Sequence, residues 1–263
     1  MTTKPVNTEL KAFLFDVDGT LSDTERDGHR VAFNRAFEEY GLNWQWSVET
    51  YGVLLEVTGG KERMKFYTEK FLAKEDIPDS IETLIPELHK AKTRHYTELL
   101  ATGAIPLRPG VERLINEARQ RGFRLAIATT TTPENVTALL THTLGQDSIK
   151  WFEVIAAGDI VPAKKPAPDI YDYALKAMNL SADECIAFED SINGIKSSLG
   201  ANLNTIITIN DYTKDHDFSN ACIVLDQMGE PEQAFSVIAG DAHNATYLDC
   251  DLVIKLHQQA INK

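Results

Sequence analysis

Cysteine is scarce in this 263-residue sequence, and its three cysteines, Cys185, Cys222 and Cys250, form no CxxC pair. Neither a disulfide framework nor a cysteine-ligated zinc site is therefore expected. Long apolar runs are also missing: nowhere do 18 apolar residues follow one another, and residues 1–10 contain no apolar stretch typical of a secretion signal. We therefore expect a cytoplasmic protein without a membrane-spanning segment.

Basic residues are few relative to acidic ones. The chain has 26 Lys and Arg against 39 Asp and Glu, which gives a formal net charge of -13. Nucleic acid and anionic membranes would be repelled at long range, so neither is expected as a partner. A phosphorylated substrate would need locally placed cations or a metal ion. With 43% hydrophobic residues, the chain is long enough for one large domain or for one domain that carries a smaller one.

Apolar strands alternate with amphipathic helices through most of the sequence, and this alternation predicts an α/β fold with a parallel sheet covered on both faces. Residues 1–21 and 105–263 are assigned to this Rossmann-like core. Residues 22–104 show only helical periodicity and predict a small inserted all-helical domain. The tail, residues 226–263, has weaker patterning and no assigned place in the core.

Five predicted strands and the helices between them carry this assignment. In the insert, Phe33, Ala36, Phe37 and Tyr40 recur at helical spacing and predict one apolar helix face that ends at Gly41. Further helices are predicted in the insert at about residues 47–57, 61–72 and 80–101. The predicted strands are "KAFLF" (11–15), "FRLAIAT" (123–129), "FEVIAAGD" (152–159), "CIAFED" (185–190) and "NTIITIN" (204–210).

Polar residues follow the predicted strands where each one ends. Because the carboxyl ends of parallel strands meet at one edge of a sheet, these residues are expected to share a crevice. Several carboxylates brought together there would repel one another, and a hard divalent cation such as Mg²⁺ is the simplest compensation. The residues that meet in this way are Asp16, Asp18, Thr129, Lys164, Lys165, Glu189 and Asp190.

A carboxylate beside a metal ion and a lysine can attack phosphorus, because both cations hold the phosphoryl group and offset the repulsion between two anions. Asp16 would then carry an acyl phosphate. Asp18, two residues further on and on the same side of an extended segment, could protonate the leaving oxygen and later take a proton from water. This division of labour predicts a phosphomonoester hydrolase.

The motifs "DVDGT" (16–20), "ATT" (128–130), "KKP" (164–166) and "FEDS" (188–191), in this order, resemble the four signatures of the haloacid dehalogenase (HAD) superfamily. The helical insert between the first two motifs resembles the C1 cap of that superfamily. The resemblance implies a Rossmann-like HAD core with an inserted helical cap. It makes Asp16 the nucleophile and Asp18 the general acid and base.

The same resemblance assigns the remaining core residues. Thr129 and Lys165 would bind the transferring phosphoryl group. Mg²⁺ would be held by Asp16, the backbone carbonyl of Asp18, and Asp190. Glu189 belongs to the same metal set, standing behind the direct ligands.

Longer strings, including "TGGKERM" (58–64), "LHKAKTR" (88–94) and "AAGDIVPAKKPAPDIY" (156–171), are similar to the CbbY group within this superfamily. Members of the group hydrolyse xylulose-1,5-bisphosphate, an inhibitory by-product of Rubisco in the Calvin cycle. The resemblance therefore implies a phosphorylated sugar, a bisphosphate, as the substrate. It also implies a functional link to Rubisco without direct contact.

A second phosphate needs its own cations, and "GGKER" places Lys61 and Arg63 beside backbone amides at a helix start. Glu25 could accept hydrogen bonds from sugar hydroxyls. An ordinary solvated helix face explains the charged cap residues equally well. The predicted substrate-binding set is Glu25, His29, Gly59, Gly60, Lys61, Glu62, Arg63, His89, Lys90, Lys92, Arg108, Thr130, Thr131, Thr132 and Asn135.

Two other functions fit the same residues. A phosphosugar mutase of the β-phosphoglucomutase type would also use Asp16 and Asp18, and would differ only in how long the acyl phosphate survives against water. A catalytically silent sugar-phosphate sensor on the same scaffold is the second alternative. It is disfavoured because every catalytic position is filled.

Overall fold

The computed structural model describes residues 9–262. The outer limits of the predicted core domain, residues 1 and 263, lie outside this range. So do residues 1–8, on which most of the prediction of no secretion signal rests. Within residues 9–262, no helix is both long enough and apolar enough to cross a bilayer.

A seven-stranded sheet forms the centre of the described chain, with the strand order β3-β2-β1-β4-β5-β6-β7. All neighbouring pairs are parallel except β6 and β7, which are antiparallel. The predicted parallel α/β sheet is confirmed. The strands are β1 (Ala12–Phe15), β2 (Arg124–Thr129), β3 (Val154–Ala157), β4 (Cys185–Glu189), β5 (Asn204–Thr208), β6 (Ile223–Leu225) and β7 (Val237–Ala239).

Nine α-helices lie within residues 9–262, and apolar cores fill both faces of the sheet. Phe13 and Phe15 of β1 point to one face, whereas Ala12 and Leu14 point to the other. The helices are α1 (Arg30–Glu39), α2 (Val48–Leu54), α3 (Gly60–Phe71), α4 (Ile81–Ala101), α5 (Val111–Gln120), α6 (Pro133–Leu144), α7 (Asp169–Met178), α8 (Ile192–Gly200) and α9 (Cys250–Ile261).

The tail that the sequence left unassigned supplies β7 and α9. The Asp249 side chain accepts a hydrogen bond from the backbone N–H of Leu252 and so caps α9. Leu252, Val253 and Leu256 then bury one face of the helix in the main core. The tail is therefore an integral part of the core fold.

The inserted segment, helices α1 to α4, has an apolar cluster of its own, built around Phe33, Trp46, Tyr51 and Leu88. Tyr40, expected on the apolar face of α1, is instead 40% exposed, because α1 ends at Glu39 and the chain turns there. The two connections to the core run side by side, with a bridge between Ser22 and Leu107. The domain limits at residues 22 and 104 stay a prediction.

Candidate active site

The site begins where β1 ends. Asp16 is buried and accepts a hydrogen bond of 2.7 Å from the Lys165 ammonium. The same ammonium donates to Glu189 at 2.5 Å and to the Ala128 carbonyl at 2.9 Å. Thr129, at the end of β2, is buried beside them. The structure thus brings together the ends of β1, β2 and β4, as parallel packing requires.

Three buried carboxylates, those of Asp16, Glu189 and Asp190, have oxygens within 4.8 Å of one another. Burial raises the pKa of Asp16 to about 7, with Lys165 opposing and Glu189 reinforcing the rise. Burial, followed by the charges of Asp16 and Glu189, also raises the pKa of Asp190 well above its usual value. One ammonium does not offset three carboxylates. An all-oxygen donor set with an uncompensated negative charge fits a hard dication such as Mg²⁺.

Glu189 already uses both of its oxygens. Oε1 accepts from Lys165 and, at 2.6 Å, from the Tyr171 hydroxyl, while Oε2 accepts from the backbone N–H of Asp190. A Cβ on Gly194 would lie only 1.8 Å from Oε2, so the start of α8 can approach this carboxylate only with glycine there. The contacts favour a role for Glu189 in holding Lys165 rather than in direct ligation.

Asp18 is oriented from the inserted helices. Its Oδ1 accepts from the Thr24 hydroxyl at 2.6 Å and lies 2.7 Å from Nε2 of His29. Nδ1 of His29 lies 2.8 Å from the buried Lys92 ammonium. Burial alone would raise the pKa of Asp18, but His29 and the Thr24 hydroxyl lower it below its usual value. Burial lowers the pKa of Lys92 to about 8.

Two residues of the insert, Glu25 and Arg63, line a cavity over the strand ends and are joined through Tyr51 in a hydrogen-bonded triad. Arg63 donates to the Tyr51 hydroxyl at 2.7 Å, and that hydroxyl donates to Glu25 at 2.5 Å. Arg63 and Glu25 also form an ion pair at 3.7 Å. The cavity between this triad and the strand ends has a volume of about 190 Å³, with Asp16 and Lys165 at its floor.

Two other predicted cap residues are tied to the core by ion pairs. Lys61 lies 2.6 Å from Asp159, and Glu62 lies 3.0 Å from Lys164. Lys164 also pairs with Asp159 at 3.0 Å, so Asp159 bridges a cap lysine and a core lysine. The Lys164 side chain is only 16% exposed and lies between the carboxylates of Glu62 and Asp159.

A smaller cavity of about 40 Å³ lies beside Asp18 and contains many of the remaining predicted residues. Asn135 is buried there and donates to the Thr131 hydroxyl at 2.8 Å, whereas its Oδ1 has no hydrogen-bond partner among residues 9–262. Burial, then Lys92 and Lys61, lowers the pKa of His89 to about 3, so its imidazole is neutral. The predicted residues around this cavity are Glu25, His29, Gly59, Gly60, Arg63, His89, Lys92, Thr130, Thr131, Thr132 and Asn135.

Two predicted substrate-binding residues lie elsewhere. The Lys90 side chain is 72% exposed and pairs with Glu87 on the surface of α4. Arg108 is buried and donates to backbone carbonyls, which places it among the loops below the cavity and not on its wall. Its carbonyl partners are those of Gly19, Thr208, Ile209 and Asp226.

Sequence reasoning missed the loop that follows β5. Asn210 donates to Asp190 at 2.7 Å, and Tyr212, Thr213 and His216 line the 190 Å³ cavity above Asp16. Polar residues also follow β5, in "NDYT" at residues 210–213. The expectation that polar residues at the strand ends share a crevice applies to them as well. Asn193 was missed as well, and its amide donates to the cap at the Thr58 hydroxyl.

Comparisons with known proteins identify the family of this chain. The family model of haloacid dehalogenase-like hydrolases matches residues 10–202, which is most of the chain. The chain belongs to the haloacid dehalogenase-like hydrolases. The fold and family inferred from the four motifs are confirmed.

Several relatives of this HAD-like hydrolase are named CbbY. Protein CbbY of Rhodobacter capsulatus is 49% identical over 213 residues, which make up 81% of this chain and 91% of that protein. The crystal structure of CbbY from Rhodobacter sphaeroides in complex with phosphate is 43% identical, with a TM-score of 0.77 over 83% of this chain and 94% of that one.

A mutant of the same Rhodobacter sphaeroides protein has been solved in complex with xylulose-1,5-bisphosphate. It is 42% identical, with a TM-score of 0.77 over 83% of this HAD-like hydrolase and 94% of that chain. Family and relatives together show that the chain is an enzyme of the phosphoric monoester hydrolase class.

Proposed function

We propose that the chain is a Mg²⁺-dependent sugar-phosphate phosphatase that removes the 1-phosphate of xylulose-1,5-bisphosphate through an aspartyl-phosphate intermediate. The observation that carries the proposal is the buried Asp16 carboxylate, held 2.7 Å from Lys165 in a cluster that fits a divalent cation. The substrate is supported by the CbbY relative that binds this bisphosphate. A functional link to Rubisco, without direct contact, is part of the proposal.

In the first step, an Asp16 oxygen attacks phosphorus, and the bond to the sugar oxygen breaks. Lys165 and Thr129 stabilise the charge on the phosphoryl oxygens, and Asp18 protonates the departing oxygen. In the second step, water attacks phosphorus and gives a proton to Asp18. The bond between phosphorus and the Asp16 oxygen breaks, which restores the Asp16 carboxylate and releases inorganic phosphate. The Mg²⁺ ion, held by Asp16, the backbone carbonyl of Asp18, and Asp190, would supply charge neutralisation.

Asp18 must carry a proton for the first step, although His29 and Thr24 lower its pKa in the free structure. A phosphoryl dianion that enters beside Asp18 raises this pKa by repulsion between like charges. We therefore expect Asp18 to gain its proton together with the substrate.

The cap residues would recognise the rest of the sugar. Among the described residues, Arg63 is the one cation of the insert that lines the 190 Å³ cavity above Asp16, so it is assigned the second phosphate. Glu25 beside it would accept hydrogen bonds from sugar hydroxyls. Lys61 pairs with Asp159 and would have to leave it before binding an anion. Residues 22–104 are proposed to open and close as one unit.

The test is phosphate release from pentose and hexose mono- and bisphosphates with Mg²⁺, including xylulose-1,5-bisphosphate and ribulose-1,5-bisphosphate. The proposal expects the highest kcat/KM for xylulose-1,5-bisphosphate, with xylulose 5-phosphate as the product and no release in excess chelator. Higher kcat/KM for monophosphates would refute the role of Arg63. Interconversion of monophosphates without phosphate release would establish the mutase, and binding without any turnover would establish the sensor.

A further inference from the structure

The loop after β5 connects the metal-binding carboxylates to the cap. The Asn210 amide donates to Asp190 at 2.7 Å, and the Asn210 side-chain oxygen accepts from the backbone N–H of Tyr212 at 2.9 Å. The Thr213 hydroxyl accepts from the backbone N–H of Asn210 at 3.0 Å and closes the turn. The direction in which Tyr212 leaves the core is therefore fixed by the same residue that orients Asp190.

The ring of Tyr212 contacts the cap at α2. Its centroid lies 6.2 Å from that of Tyr51, with an interplanar angle of 67°, which is an edge-to-face contact. Tyr51 is the centre of the triad with Arg63 and Glu25. A core side chain thus packs directly on the residue that holds the two groups assigned to the sugar and its second phosphate.

Gly52 allows this approach. It lies inside α2, where glycine is less favourable than alanine. A Cβ at this position would lie 3.3 Å from Cδ1 and 3.4 Å from Cε1 of Tyr212, tighter than ordinary packing. The close contact with Tyr212 accounts for a residue that helix propensity alone disfavours.

The environment of the Tyr212 hydroxyl shows which part of this side chain contacts the cap. It is buried and finds no hydrogen-bond partner within the described part of the chain. The ring, and not the hydroxyl, therefore makes the contact with the cap.

We propose that Tyr212 is a positioning residue, which fixes Tyr51 and thereby Arg63 and Glu25 over the strand ends when the cap is closed. The inference rests on the proposed function, because it concerns recognition of the sugar bisphosphate by that same site. It assigns substrate selection in part to a core loop, in addition to the cap.

The test compares xylulose-1,5-bisphosphate with 4-nitrophenyl phosphate, which has neither a sugar nor a second phosphate. Tyr212→Ala is expected to raise KM for the bisphosphate at least about fivefold and to change kcat/KM for the aryl phosphate less than about twofold. Tyr212→Phe is expected to restore the KM for the bisphosphate. Tyr173→Ala, which removes a tyrosine that is 38% exposed on α7, is the matched control and should change neither substrate.

Gly52→Val tests the other side of the contact, and is expected to raise the same KM. In combination with Tyr212→Ala, its effect should be smaller than in the unmodified chain, since the two changes act on one contact. A Tyr212→Phe variant as impaired as Tyr212→Ala would overturn the proposal in favour of direct binding by the hydroxyl. Equal losses on both substrates, or independent effects of the two substitutions, would also overturn it.

Phosphate release by the unmodified chain tests the proposed function separately. A second readout needs no turnover: amide hydrogen exchange at residues 52–58 should be faster in Tyr212→Ala than in the unmodified chain or in Tyr173→Ala. Unchanged exchange would refute the coupling even in an active enzyme. Faster exchange in a chain without phosphatase activity would support the contact and reject the proposed function.

Discussion

Replacing Lys165 by methionine keeps most of the side-chain volume and removes the only cation among residues 9–262 that touches Asp16, the proposed nucleophile. Lys165 is 5% exposed and donates to Asp16, to Glu189 and to the Ala128 carbonyl at 2.7, 2.5 and 2.9 Å. The substitution leaves two carboxylates buried side by side without the ammonium that separates them. Both folding and catalysis are therefore expected to suffer.

The size of the folding effect follows from these contacts. Breaking a buried ion pair by removing one partner costs about 3–5 kcal/mol. The carboxylates can relieve part of this cost by binding a proton, since burial already raises the pKa of Asp16 to about 7. We therefore expect a loss near the lower limit, about 3 kcal/mol, in the free energy of unfolding at neutral pH without Mg²⁺.

The pH dependence of this loss has a definite sign. Without Lys165, the pKa of the Asp16 carboxyl in the folded chain rises further above its unfolded value. A raised carboxyl pKa means that the folded state binds more protons, so stability falls as pH rises through the window between the two values. The deficit of Lys165→Met should therefore be larger at pH 8 than at pH 5, and Mg²⁺ should reduce it.

For catalysis, loss of this donor to the transferring phosphoryl group is expected to lower kcat about 10²–10³-fold. Lys164→Met is the matched control, because within residues 9–262 the neighbouring lysine pairs only with Glu62 and Asp159. It should cost at most about 1 kcal/mol in stability and leave kcat within about threefold. Denaturant unfolding and phosphate release measure both effects. A Lys165→Met enzyme with kcat within tenfold of the unmodified chain would refute the assignment.

Three further predictions concern the nucleophile, a cap histidine and a buried arginine. Asp16→Asn should abolish phosphate release while retaining bisphosphate binding by calorimetry; residual turnover would require another nucleophile. The pKa of His89 is lowered from 6.5 to about 3, so its contribution to stability is complete above pH 6.5 and is lost as pH falls from 6.5 towards 3. His89→Gln should therefore lose less stability than the unmodified chain on acidification over that window, measured by unfolding at each pH. Arg108→Ala should cost about 2–5 kcal/mol in unfolding free energy, because several backbone carbonyls lose a charged donor, while the substrate preference of the folded enzyme stays unchanged.

The core of the site could be predicted because parallel strands impose it. Asp16, Thr129 and Asp190 lie at consecutive strand ends of one sheet, so their meeting follows from topology alone. The contact between Lys165 and Asp16 agrees with the prediction from the motifs. The unassigned tail is the counterexample: its patterning is weaker, and nothing local indicates which face of the sheet receives α9.

Cap residues could not be assigned in the same way, because the sequence of a helix shows which residues are charged but not which residues they contact. Lys61, Arg63 and Lys90 are all cationic residues of the insert, and the structure gives them three different environments. Lys61 forms an ion pair with Asp159. Arg63 lines the cavity and donates a hydrogen bond to the Tyr51 hydroxyl. Lys90 is exposed to solvent and forms an ion pair with Glu87. Helical periodicity distinguishes the buried face of a helix from its exposed face. It does not predict these partners, which lie up to 98 positions away in the sequence.

Asp18 and its neighbours suggest why the cap begins so soon after the nucleophile. Thr24 and His29 lie on the segment that leaves the core, and both contact the Asp18 carboxylate. His29 in turn contacts Lys92 in α4, so a movement of the inserted helices would change the surroundings of Asp18, the proposed general acid and base. If Asp18 is the proton-transfer group, as proposed, the short spacing lets one segment orient it and hold Glu25 over the cavity. We therefore expect cap closure and proton transfer to be coupled through this segment.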